Sequence, residues 1–140
     1  MAKTDEIVHE LESFYRHYID VFNREDDSFY DCFANPYAVI SAERGIITIG
    51  NDNRDSFART MKVLKEHGWQ RSGIDRITAW ALGEDLGMLV SDVTRYKTDG
   101  SVMEKIRACY TLRRDRGKWK IVTLSEIKPP FLGPGDIARP

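Results

Sequence analysis

Apolar residues near the start of the chain recur at intervals of three and four: Ile7, Leu11, Phe14, Tyr18 and Val21, with Val8, Tyr15 and Phe22 beside them. That period draws a broad buried stripe on an α-helix over residues 5–23. Asp5, Glu6, Glu10 and Glu12 lie in its first turns, where the helix dipole favours negative charge. Asp26, Asp27 and Ser28 can cap a second, short helix running to Phe33. Asn35-Pro36 stops it, because the residue before a proline avoids the α region. Residues 37–41 and 46–49 read as two short strands around the break Glu43-Arg44-Gly45. A third helix follows Gly50-Asn51-Asp52-Asn53, carries Phe57, Met61 and Leu64 at helical spacing, and ends at His67-Gly68.

Residues 74–127 read as antiparallel strands separated by turn signals at Gly83-Glu84-Asp85, Asp99-Gly100 and Asp115-Arg116-Gly117. A two-residue turn at Asp99-Gly100 puts Arg95 opposite Glu104 and Asp92 opposite Arg107, two pairs of opposite charge. A three-residue loop at Asp115-Arg116-Gly117 pairs Arg114 with Lys118, Tyr110 with Val122 and Ala108 with Leu124. One sheet face then carries Leu89, Val93, Ile106, Ala108, Tyr110, Leu112, Val122 and Leu124 and takes the helices. The other carries Asp92, Arg107, Cys109, Thr111, Ile121, Thr123 and Ser125, unless a bulge inverts the choice. The expected layout is a single domain over residues 1–128, followed by a Pro/Gly-rich tail over 129–140 pinned by Phe131 and Leu132.

Composition narrows the class. With 140 residues, 41% hydrophobic and 31% charged, the chain suits one globular core and excludes a disordered, collagenous or disulfide-dense protein. Its longest apolar runs are too short for a spanning helix or a signal-peptide core, so neither membrane insertion nor export is expected. Cys32 and Cys109 form no CxxC motif, and a reducing cytoplasm is the expected location. Net charge is −1, but residues 1–70 hold 8 basic and 13 acidic side chains against 13 and 9 in residues 71–140. Arg113, Arg114, Arg116, Lys118 and Lys120 gather around Trp119. That cluster reads as a solvated hairpin tip, and nucleic acid is not an expected partner.

The order of elements, with Tyr18 to Asn23, the acidic link Glu25-Asp26-Asp27, Phe33-Ala34-Asn35, Gly50 with Phe57, and the run from Ala108 to Val122 containing Gly117-Lys118-Trp119-Lys120-Ile121-Val122, resembles the nuclear transport factor 2-like superfamily. That superfamily includes the SnoaL-like cyclases, ketosteroid isomerases and scytalone dehydratase. The resemblance implies an α+β, cystatin-like fold: a cone-shaped curved antiparallel sheet wrapped around three N-terminal helices, with an apolar pocket at its open end. The implied walls are Tyr15, Tyr18 and Phe22, then Phe29, Tyr30 and Phe33, then Tyr110, Val122 and Leu124, with Trp80 as a further ligand contact or a plug. Many relatives pair through the outer sheet face, so a homodimer is expected, using Arg107, Cys109, Thr111, Ile121 and Thr123.

Ketosteroid isomerases use a tyrosine of the first helix as oxyanion donor, a carboxylate at the end of the first strand as base, and a buried acid on a later strand. The resemblance aligns Tyr18 with the first of these. At the base position stand Ser41 and Ala42, with Glu43 one or two places late, and at the second acid stands Ala108. Steroid-type isomerisation is therefore not expected. Glu126 is the remaining acid that the register aims inward; it either moves a proton in the cavity or sits solvated at the sheet end beside Arg95 or Lys128. Tyr18 either anchors a ligand or packs as a core tyrosine. His9-Glu10 lacks the second histidine of a zinc-protease helix, and Asn51, Asn53 and Asp55 lack the glycine and closing acid of a calcium loop. No metal and no cofactor are expected. The functional expectation is a pocket for a compact apolar or aromatic metabolite, with Tyr18 and Glu126 the candidate groups for cofactor-free lyase or isomerase chemistry. The alternative is a non-catalytic dimerisation scaffold whose cone is plugged by its own side chains.

Overall fold

The computed structural model describes residues 2–131. Its elements are α1 (Ala2–Arg24), a 3₁₀ turn (Asp27–Cys32), β1 (Phe33–Ser41), β2 (Gly45–Ile49), α2 (Asn53–Glu66), β3 (Trp69–Ala81), β4 (Leu86–Lys97), β5 (Val102–Asp115) and β6 (Lys118–Ile127). Asp26 caps the short turn through a bond from the Ser28 backbone N–H at 2.8 Å. Pro36 falls inside β1 instead of after a break. It has no N–H to offer the ladder, and the pairing of β1 with β6 shifts register between Phe33 and Ala38. Of the expected tail, Phe131 rests on the sheet and Leu132 lies outside the described residues, with everything after it.

The six strands form one sheet in the order β2-β1-β6-β5-β4-β3. Helix α2 carries the chain from the β1–β2 hairpin to the far edge, and the meander β3–β6 then returns across the sheet until β6 lies beside β1. The two run parallel, so the wholly antiparallel sheet expected from the pattern holds for every neighbouring pair except this one.

The hairpins at the two ends of β5 both differ from the simple turns. Lys97 N–H bonds to the Ser101 carbonyl at 2.8 Å around Thr98-Asp99-Gly100, a three-residue loop with Gly100 at φ 88°. A register shift just beyond it restores the expected pairs Arg95↔Glu104 and Asp92↔Arg107. At the other hairpin, Arg116 and Gly117 both have positive φ, which makes a two-residue turn pairing Asp115 with Lys118. Ile121 then pairs with Leu112, and Val122 is the extra residue before Thr111↔Thr123 and Tyr110↔Leu124. Correcting the expected register moves Ile121 to the concave face, where it is fully buried, and removes Val122 from it.

Helix α1 lies in the concavity. Leu11 is fully buried over Gly87, where a Cβ would come within 2.6 Å of its Cδ1. One turn on, Tyr15 takes a hydrogen bond from Ser91 Oγ at 2.6 Å. At the helix end Asn23 pairs with the Ser72 backbone twice, donating to its carbonyl at 2.9 Å and accepting from its N–H at 2.8 Å. Glu10 closes the narrow end, accepting from Arg114 at 2.8 Å and from the Trp119 indole at 2.9 Å, with Arg114 also on Asp85. Arg114 of the basic cluster is thus consumed by the fold, and Lys120 reaches the Asp31 carbonyl. On the convex face Arg107 is buried, forked onto Asp92 at 2.6 and 3.0 Å and bonded to the Phe131 carbonyl at 2.9 Å. Among the described residues no helix is long and apolar enough to cross a membrane.

Replacing Gly87 by Ala should lower stability by about 1–3 kcal/mol, since Leu11 has no free space into which to retreat. Equilibrium denaturation checks this, and an unchanged midpoint would mean that α1 is not seated as described.

Candidate functional site

The wide end of the cone is hollow, holding a cavity of about 880 Å³ between the second half of α1, α2, β1 and the concave strands. Pockets for small organic ligands span roughly 300–1,000 Å³. The apolar stripe that makes α1 helical also turns Tyr15, Tyr18, Ile19 and Phe22 into this space. Aromatic rings build most of the wall. Phe29 stacks on Phe57 at 4.1 Å between centroids and tilts against Phe33 at 4.9 Å, while Tyr18 stacks on Phe29 at 5.6 Å.

Three tyrosines meet at the floor. Tyr15 and Tyr110 rings are 5.3 Å apart with hydroxyls at 3.4 Å, and Tyr18 lies 5.6 Å from Tyr15 and 6.0 Å from Tyr110. Ser91 donates to Tyr15, and the Tyr15 and Tyr110 hydroxyls face each other with either able to donate. Burial holds all three phenols well above the ordinary value of 10, because the apolar wall penalises a phenolate. They are therefore neutral hydrogen-bond donors at physiological pH and not bases. Tyr37, also on the wall, is pushed up to about 12 by burial and donates to Asn53 at 2.9 Å.

Of the residues singled out from sequence, Tyr15, Tyr18, Phe22, Phe33, Tyr110, Leu124 and Glu126 border the cavity, and Tyr30, Trp80 and Val122 do not. Tyr30 stands behind the wall, edge-on to Phe57 at 5.8 Å with the Arg54 guanidinium over its ring at 4.3 Å. Trp80 alternates with Ala79 and Ala81, which pack on the core, so its side chain takes the convex face. Val122 is displaced by the β6 bulge. Glu126 sits at the rim, 41% exposed and paired with Arg44 at 2.6 Å, in place of the expected Arg95 or Lys128. The position corresponding to an isomerase base holds Ser41, whose Oγ accepts from the Arg44 N–H. Glu43 instead turns outward to Lys128, whose ammonium holds its carboxyl below the usual range.

Several lining residues escaped the sequence reading. Phe57 and Leu64 share the α2 stripe. Arg95 and Glu104 were legible only as a cross-strand charge pair, although Arg95 stands two residues from Val93 and hence on the same face. The cysteines are free, and burial pushes the Cys32 thiol up to about 12, far from a reactive thiolate. Among the described residues no group of three or more histidine, cysteine, aspartate or glutamate side chains is placed to hold a metal.

Among curated proteins none matches the chain. Solved structures similar in fold include an NTF2-like protein of unknown function from Pseudomonas putida, at 14% identity and TM-score 0.73 over 90% of this chain and 89% of that one. A provisionally named dehydratase of the NTF2-like family from Streptomyces avermitilis is similar at 12% identity and TM-score 0.69, over 87% and 95%. A provisionally named scytalone dehydratase from Novosphingobium aromaticivorans is similar at 15% identity and TM-score 0.67, over 91% and 87%. Such identities speak to the fold alone. A family model described as NTF2-like protein (DUF6841) matches residues 5–128, and the chain belongs to that family.

Proposed function

We propose that the protein binds a compact apolar or aromatic small molecule in the wide end of the cone, with the Tyr18 hydroxyl as its polar anchor. The observation that carries this reading is the convergence of three neutral tyrosines on a cavity of about 880 Å³ walled by aromatic rings. A ring-shaped ligand loses water from both faces on entry, and a carbonyl or hydroxyl on it accepts a hydrogen bond from the Tyr18 hydroxyl. Where the bound molecule reacts, the chemistry that fits is lyase or isomerase chemistry without a cofactor. Tyr18 would donate to a developing oxyanion, and Glu126 would move a proton for an atom that reaches the rim. The similarity of fold to proteins named as dehydratases is compatible with that class. A scaffold with a plugged cone is less well supported, since Trp80 lies on the convex face and the cavity stays open with Tyr110 and Phe131 in its wall.

The homodimer remains a separate proposal with a revised surface. With Ile121 turned inward and Arg107 under Phe131, the convex face offers chiefly Cys109, Thr111 and Thr123. A cytoplasmic location, where both thiols stay reduced, accords with the free cysteines.

Small aromatic ketones should raise the melting temperature of the wild type, and Tyr18→Phe should weaken their binding from a few-fold to about tenfold, the value of one hydrogen bond. Absence of any shift across such compounds would remove the pocket reading. In a spectrophotometric titration Tyr15, Tyr18 and Tyr110 should stay protonated in the folded chain above pH 10. Their folded pKa values are raised, so the stability they contribute is complete below the unfolded value of 10 and is lost as pH rises through the folded values. A phenolate forming at one of these sites near pH 10 without unfolding would contradict their burial. Sedimentation at micromolar concentration tests the dimer, and a monomeric mass would exclude it.

A further inference from the structure

The cavity wall is not purely apolar. Apart from Arg107 and Lys105, which belong to the convex face, its lining includes four basic and three acidic side chains. Arg44 is answered by Glu126 and Lys128 by Glu43. Arg95 differs. It projects from the concave face of β4, between Ser72 on β3 and Glu104 on β5, and all three border the cavity. Its Nη1 donates to Glu104 at 2.7 Å, yet its Nε is buried and meets no acceptor among the described residues, and no bond is made from Nη2.

A buried donor left without a partner is destabilising, so native structures rarely keep one without a use. Nε and Nη2 form one edge of the guanidinium fork, spaced to meet both oxygens of a carboxylate. Glu104 occupies the opposite side and is itself 43% exposed, so it balances the charge without covering that edge. Arg95 and the floor residue Tyr15 line the same cavity.

We propose that Arg95 anchors the ligand, and that the ligand is a small amphipathic carboxylate whose apolar body lies among the aromatic rings. The proposal rests on the pocket reading above and adds the charge of the molecule and the residue that reads it. Selectivity follows from the same geometry: a neutral amide of equal shape fills the rings but leaves the guanidinium edge poorly matched.

Calorimetry with phenylacetate, benzoate and hexanoate, each against its own amide, tests this on the full chain. The acid should bind about tenfold more tightly than the amide in at least one pair, as for a charge-assisted bond. Arg95→Gln should abolish the preference by weakening acid binding more than amide binding, Arg95→Lys should keep part of it, and Glu104→Gln should strengthen acid binding by freeing the cation. Equal binding of acid and amide in the wild type overturns the anchor and leaves the pocket standing. A preference that survives Arg95→Gln but falls with salt assigns it to the general positive field and also overturns the anchor. No binding by any probe overturns both. Melting temperatures of the variants confirm folding, since the Arg95–Glu104 pair is partly exposed and its loss should shift them little.

Discussion

Everything at the wide end depends on how α1 is seated in the sheet. Leu11 sinks over Gly87 because that strand position has no Cβ, and the contact sets the depth of the helix. Four residues on, the hydroxyl of Tyr15 meets Ser91, and Asn23 hooks the backbone of β3 as a short extra rung. With the helix held at three points along one ridge, its first half fills the narrow end of the cone. Its second half, carrying Tyr18 and Phe22, stands over open space. Core and cavity are thus consecutive segments of one helical stripe.

Polar groups in this molecule divide by what surrounds them. At the narrow end Glu10, Arg114, Asp85 and Trp119 satisfy one another and close the cone. On the convex face Asp92 lies between Arg107 and Arg76, so charges set on a sheet surface are balanced before solvent reaches them. Inside the cone the low dielectric has the opposite consequence. It keeps the tyrosines neutral and makes each donor there stronger toward whatever acceptor enters. The basic run around Trp119, which in sequence reads as a solvated hairpin tip, is partly tied into the fold through Arg114 and Lys120.

The acids nearest the β1–β2 turn are tied up in ion pairs. Glu43 is drawn out to Lys128 and Glu126 to Arg44, so both nearby acids belong to the rim. Inside the cavity the tyrosine hydroxyls are hydrogen-bond donors, whereas these two carboxylates are held in ion pairs. A fold can be shared to the last strand while the few side chains that carry chemistry are exchanged.

Much of the architecture was legible along the chain, because periodicity reports which face of an element is apolar. The α1 stripe, the cap at Asp26, the α2 stripe and the pairs Arg95–Glu104 and Asp92–Arg107 were all read from spacing. What spacing could not decide was parity in β6. A two-residue turn at Arg116-Gly117 and one extra residue at Val122 shift the inward set to Ile121 and then back to Leu124 and Glu126. Either offset alone reverses every side chain beyond it. Nor could the chain order state that β6 returns beside β1, that Trp80 faces out, or that Glu126 meets an arginine 82 residues away. Local pattern determines which residues seek burial. Only the closing of the sheet around α1 decides which of them meet each other and which are left facing a hollow, because that depends on contacts between segments far apart in sequence.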